Sequence, residues 1–80
     1  MPKEKGWAIA GNCGLYTGWA QTRNQAIADH VSAIWEGAEG FGKISEYAYG
    51  RGLDRDQARA WAKSRKAGDR AVRVVLTYKQ

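Results

Sequence analysis

Hydrophobic and polar positions alternate at both ends of the chain and fall at helical spacing in between. Near the start, Trp7 and Ile9 stand two apart within residues 6–12, as in a half-buried strand. Asn12-Cys13-Gly14 supplies the small residues of a tight turn. Residues 15–21 then predict a second strand, with Leu15, Thr17 and Trp19 on one face and Tyr16, Gly18 and Ala20 on the other. The two strands form a hairpin. At the far end, residues 71–79 alternate most regularly: Val72, Val74, Leu76 and Tyr78 share one face, and Arg73, Val75, Thr77 and Lys79 share the other.

Two helices lie between these strands. Thr22-Arg23-Asn24-Gln25 has the form of a capping box, and Ile27, Val31, Ile34 and Trp35 follow at i, i+4, i+7 and i+8, with Gly37 as the stop. Asp54-Arg55-Asp56-Gln57 repeats the capping pattern, opening a helix that runs to about Ala67 and ends at Gly68-Asp69. Leu53, Ala60, Trp61 and Ala67 mark its core side. Residues 44–49 read two ways. A short helix capped by Ser45, with Ile44, Tyr47 and Ala48 on one face, is preferred over a strand presenting Ser45, Tyr47 and Tyr49. The pattern therefore predicts an α+β fold of β-β-α-α-β order: a three-stranded antiparallel sheet with helices packed on one face. A chain of 80 residues builds one core, so residues 1–80 form a single domain.

Composition sharpens this picture. With 44% hydrophobic and 26% charged residues the chain has the make-up of a water-soluble globular domain. Four tryptophans help so short a chain build a core; Trp7, Trp35 and Trp61 fall on core faces. No apolar run is long enough for a signal peptide or a membrane span, so a cytoplasmic protein with no membrane partner is expected. The net charge of +5 is one-sided. Residues 1–50 carry four basic and five acidic side chains, and residues 51–80 carry nine basic and three acidic. Such asymmetry points to an acidic partner.

The basic excess has a pattern. Arg51, Arg55, Arg59 and Lys63 are spaced four apart and Lys66 follows at three. On the second helix the members from Arg55 onward fall within about a quarter-turn, opposite Ala60 and Trp61. Arg70 extends the ridge past the helix end. A solvated helix face can look the same, since Asp54 and Asp56 at its start and Lys63, Arg65 and Lys66 near its end are what the helix dipole favours. Tyr47 and Tyr49 are further candidates for an interface, because tyrosine is enriched at such surfaces.

Catalytic chemistry finds little to build on. The single Cys13 and single His30 stand on separate elements, and Asp29 beside the histidine completes no known triad spacing. His30 reads as a residue bordering the core. One cysteine and one histidine do not make a zinc site, so no metal and no cofactor are expected. Residues 37–43, Gly-Ala-Glu-Gly-Phe-Gly-Lys, nearly match a phosphate-binding loop, but Ile44 stands where that motif needs Ser or Thr, and the loop follows a helix instead of a strand. It reads as a flexible connection.

Gly6-Trp7-Ala8-Ile9, Tyr16-Thr17-Gly18, Thr22-Arg23 before Ala26-Ile27, and the closing run from Gly68 to Val74 together resemble the small accessory proteins encoded by bacteriophages, anti-CRISPR proteins among them. The resemblance is structural in character and transfers no functional residue. It implies a non-enzymatic inhibitor or modulator that docks on a host protein or nucleoprotein complex that processes nucleic acid, and occludes a surface there. Many anti-CRISPR proteins are acidic mimics of DNA; this basic chain requires another mode. The alternative is an accessory or regulatory protein that binds DNA or RNA directly through the basic helix face.

Overall fold

A computed structural model describes residues 3–11, 14–15, 19–48 and 52–77, residues 76 and 77 in backbone only. The elements run β1 (Lys3–Gly11), β2 (Gly14–Leu15), α1 (Arg23–Trp35), α2 (Arg55–Lys66) and β3 (Arg70–Thr77). The sheet has the order β2-β1-β3, antiparallel throughout, so the central strand comes first in the chain and its long partner last. This is the α+β arrangement expected from the pattern. β1 pairs with β3 over eight consecutive residues, from Lys3↔Thr77 to Ala10↔Arg70. That pairing explains why β1 starts three residues earlier than its own hydrophobic pattern suggests.

On the hairpin side, Gly11 pairs with Gly14 and Ala10 with Leu15, and Trp7 and Ala20 exchange backbone hydrogen bonds of 2.8 and 2.9 Å. Trp19 crosses to the opposite sheet face, directly over Gly6. A Cβ at position 6 would overlap its indole and the Ala20 carbonyl oxygen. Only glycine permits that approach.

α1 packs on β1 and on β3, and α2 packs on α1. The core lies between these layers, from Ile9 through Ala26, Ile27, Val31, Phe41 and Ile44 to Ala60 and Trp61, with Trp7, Trp35, Leu53 and Ala71 packed against it. Two polar contacts lock the layers. The Trp35 indole donates to Ser64 Oγ at 2.6 Å, joining the two helices. His30, 3% exposed, stands edge-on to Trp61 and bonds Asp69 Oδ2 through Nε2 at 3.0 Å. A carboxylate only accepts, so Nε2 carries the proton. Thus His30 belongs to the core instead of bordering it. The α1 pattern also fails at Ile34, which is 57% exposed, because the buried residues of α1 are Ala26, Ile27, Ala28, His30 and Val31, with Trp35 partly buried beyond them. Ala67, expected on the core side of α2, is exposed.

Both helices start as the capping residues dictate, with one difference. At α2 the box is complete: Asp54 Oδ1 accepts from Gln57 N at 2.8 Å and Gln57 Oε1 accepts from Asp54 N at 2.9 Å. At α1 only half forms, with Thr22 Oγ1 accepting from Gln25 N at 3.1 Å, because the Gln25 amide is used elsewhere. α2 ends at Gly68, in the left-handed region at φ 102°, with Gly68 N donating to Arg65 O and Asp69 N to Ser64 O. This Schellman geometry reverses the chain into β3.

Residues 44–48 form neither the preferred short helix nor the competing strand; Tyr49 lies outside the described residues. Their backbone is held by side chains from the helices. Gln25 accepts from Ala48 N at 2.9 Å and donates to Glu46 O at 2.7 Å, bonding the two residues that flank Tyr47 as a neighbouring parallel strand would. Gln57 donates to Ser45 O and Tyr47 O at 2.7 and 3.1 Å, and Glu36 accepts from Ile44 N. The glycine-rich segment before it is a closed turn and not a loose connection. Gly37 N donates to Gly42 O, Phe41 N to Ala38 O, and Phe41 is buried.

Candidate functional site

α2 presents its cations as the helical phase predicts. Gln57, Ala60, Trp61 and Ser64 are buried, and Arg55, Arg59, Lys63 and Lys66 project from the exposed side. The buried stripe fixes the helix rotation, so truncating Trp61 would disturb the ridge as well as the core. Arg65 is exposed beside the ridge. Arg70 is exposed beyond the turn at Gly68, in β3, where it pairs with Ala10. Arg51 and Tyr49 lie outside the described residues. Tyr47 is 51% exposed, across the groove described below from α1.

Two ridge cations are already engaged. Arg59 Nη1 lies 3.1 Å from Asp56 Oδ1, and its guanidinium rests 4.6 Å above the Phe41 ring. Lys63 Nζ lies 3.0 Å from Glu39 Oε2. All four charged groups are about half exposed. Exposed pairs of this kind contribute about 0–1 kcal/mol, so a partner can exchange for them at little cost. Phe41 and Glu39, which engage Arg59 and Lys63, both come from the glycine-rich turn. Arg55 and Lys66 have no ion-pair partner among the described residues. The ridge is therefore a mixed surface: four cations with Asp56 and Glu39 set among them.

Beside it, α1 and residues 43–47 enclose an open groove of about 850 Å³, lined by Asp29, Glu36, Glu46 and Asp54 with Lys43, Ile44 and Tyr47. Asp29 titrates above its ordinary range, first because burial removes water from its carboxyl and also because Glu46 is near; the Gln25 hydrogen bond opposes both. Ser32 and Ser45 line the groove too, but Ser32 donates to Asp29 O and Ser45 accepts from Tyr47 N. His30 is in the core, bonded to Asp69 and edge-on to Trp61. Cys13 lies outside the described residues. Among the described residues no three His, Cys, Asp or Glu side chains gather as a metal-ligand set, and no helix is long and apolar enough to cross a membrane.

The residues missed by the sequence pattern are Gln25 and Gln57. Both look like capping residues, and both act as clamps on residues 45–48. Their only signal is the amide itself, which can donate and accept at once where glutamate, equally good in a capping box, cannot.

Comparison of the chain with protein-family models, curated proteins and solved structures returned no match.

Proposed function

We propose that this domain is a binding protein and not an enzyme, an inhibitor or modulator that docks the exposed face of α2 on a nucleic-acid-processing complex and occludes a surface there. The observation that carries the reading is the α2 face itself, four cations held opposite a buried stripe and interleaved with two acids. Interleaving favours a protein surface over a bare nucleic acid. A phosphate backbone would meet Asp56 and Glu39 as repulsive charges, whereas a protein surface can offer a carboxylate to Arg55 and a cation to Glu39. The ring of Phe41 under Arg59 limits the freedom that the side chain loses on docking.

The purified protein, titrated into target-DNA cleavage reactions run by a panel of CRISPR effector and restriction complexes, tests this. Inhibition of at least one complex, saturating at a ratio set by the complex and not by the amount of DNA, is the expected result. Undiminished cleavage across the panel, or inhibition that tracks DNA concentration, contradicts it.

A further inference from the structure

We propose that the exposed end of the β1–β3 ribbon is a second binding site, one that takes the phosphate backbone of a nucleic acid. The proposal goes beyond the docking role of α2 and does not need it. The unbroken β1–β3 ladder sets Trp7 opposite Arg73 and Lys5 opposite Val75. Strand alternation puts Lys3, Lys5, Trp7 and Ile9 on one face, and the residues opposite share it, so Arg73 and Val75 belong there too. The inner half of this face, at Ile9 and Ala71, packs into the core against α1. The described side chains of the outer half are exposed. Lys3 and Lys5 are exposed, and Val75 is 55% exposed between them and Arg73.

Three features separate this patch from an ordinary solvated edge. First, its cations are uncompensated: none of Lys3, Lys5 and Arg73 has an ion-pair partner among the described residues, and Glu4 points from the opposite face. The α2 ridge, richer in charge by sequence, is half neutralised by comparison. Second, Arg73 is preorganised, its guanidinium lying 4.9 Å over the Trp7 ring while that ring packs on the core. It presents a fixed planar donor to an anion instead of a freely rotating one. Third, the spacing fits. Same-face residues on a strand are about 7 Å apart, close to the separation of successive phosphates along an extended strand. A two-stranded ribbon is also narrow enough to enter the major groove of a duplex. No sequence window shows this patch, because Lys3 and Lys5 meet Arg73 only through the ladder.

Fluorescence anisotropy of the full chain with a short labelled oligonucleotide, single-stranded in one arm and duplex in the other, tests the site across about 50–200 mM salt. Wild-type protein is expected to bind at least one probe, with affinity falling as salt rises. The Lys3→Gln/Lys5→Gln variant should bind more weakly and flatten the log K against log[salt] slope by about 1.4–1.8, one released counterion set per lost contact. Lys3→Arg/Lys5→Arg should retain binding. Arg55→Gln/Arg59→Gln removes the same charge from α2 and should leave the slope at its wild-type value. Absence of binding to both probes at the lowest salt overturns the proposal. So does an equal loss in the two glutamine variants, which would mean that net charge alone acts. Both results leave the cleavage-inhibition test of α2 untouched, so the two readings fail separately.

Discussion

Replacing Gln57 with glutamate separates what a capping box requires from what this fold requires. At the third position of a helix glutamate is as good as glutamine, and its charge suits the helix dipole, so by local rules Gln57→Glu is neutral or slightly stabilising. The structure says otherwise. Gln57 is 1% exposed; its Oε1 accepts from Asp54 N, and its Nε2 donates to Ser45 O and Tyr47 O. A carboxylate keeps the first bond and loses both donors. It also sets a buried negative charge against two carbonyl oxygens. Each orphaned buried group costs about 1–3 kcal/mol, and part of this is recovered if residues 45–47 loosen and admit water. A net loss of about 2–4 kcal/mol is expected, against a total stability for 80 residues of about 4–12 kcal/mol. At about 4–8 °C per kcal/mol, the melting temperature should fall by at least about 8 °C. Circular dichroism melts at neutral pH measure this. Gln57→Ala, which removes all three bonds but adds no charge, should fall by a similar amount or less. A Gln57→Glu variant that melts within about 2 °C of wild type would show that the amide does not clamp residues 45–47, and the groove wall would lose its explanation.

Other consequences follow from single contacts. Gly6→Ala should destabilise the sheet by about 1–3 kcal/mol, because the new methyl overlaps both the Trp19 indole and the Ala20 carbonyl oxygen, and Gly6→Ala/Trp19→Ala should recover part of that loss in denaturant titrations. Trp61→Ala should cost about 3–5 kcal/mol, since the ring is 8% exposed and packs edge-on against His30; an unchanged melting temperature would mean that α2 is rotated from the phase described. Asp29→Asn should stabilise the protein at neutral pH. Burial makes the Asp29 carboxyl harder to ionise in the fold than in the unfolded chain, so its ionised form opposes folding once pH rises through that raised range, and the penalty vanishes below the ordinary carboxylate range. The gap between variant and wild-type melting temperatures should therefore open as pH rises from below the ordinary carboxylate range through neutrality, and a gap of the reverse sign would refute the assignment.

The elements were legible wherever a local rule sufficed. The Thr22 and Asp54 caps, the strand at Arg70–Thr77 and the phase of α2 opposite Trp61 are all local, and all stand in the structure; Tyr78 and Lys79 of the expected strand lie outside the described residues. Residues 44–48 were not legible, because their hydrogen bonds go to Gln25, Glu36 and Gln57 and no local pattern records that. Ile34 misled for a related reason: helical spacing marks a face but cannot say where the neighbouring layer ends. The candidate site divides the same way. The α2 cations were readable from their spacing, whereas the engagement of Arg59 by Phe41 and of Lys63 by Glu39 depends on how the glycine-rich turn closes. Burial of His30 against Asp69 spans two elements and left no mark in the sequence.

The docking role of α2 is tested most directly by reversing Arg55, Arg59 and Lys63 to glutamate together and measuring inhibition of target-DNA cleavage by the complex that wild-type protein inhibits. All three side chains are exposed on the face opposite Trp61, so the folded dichroism spectrum should survive, with a stability loss of a few tenths of a kcal/mol per site from helix-dipole and i,i+4 effects. The predicted result is a folded protein that no longer inhibits. A folded triple variant that inhibits as well as wild type would contradict the account and remove the α2 face from the mechanism.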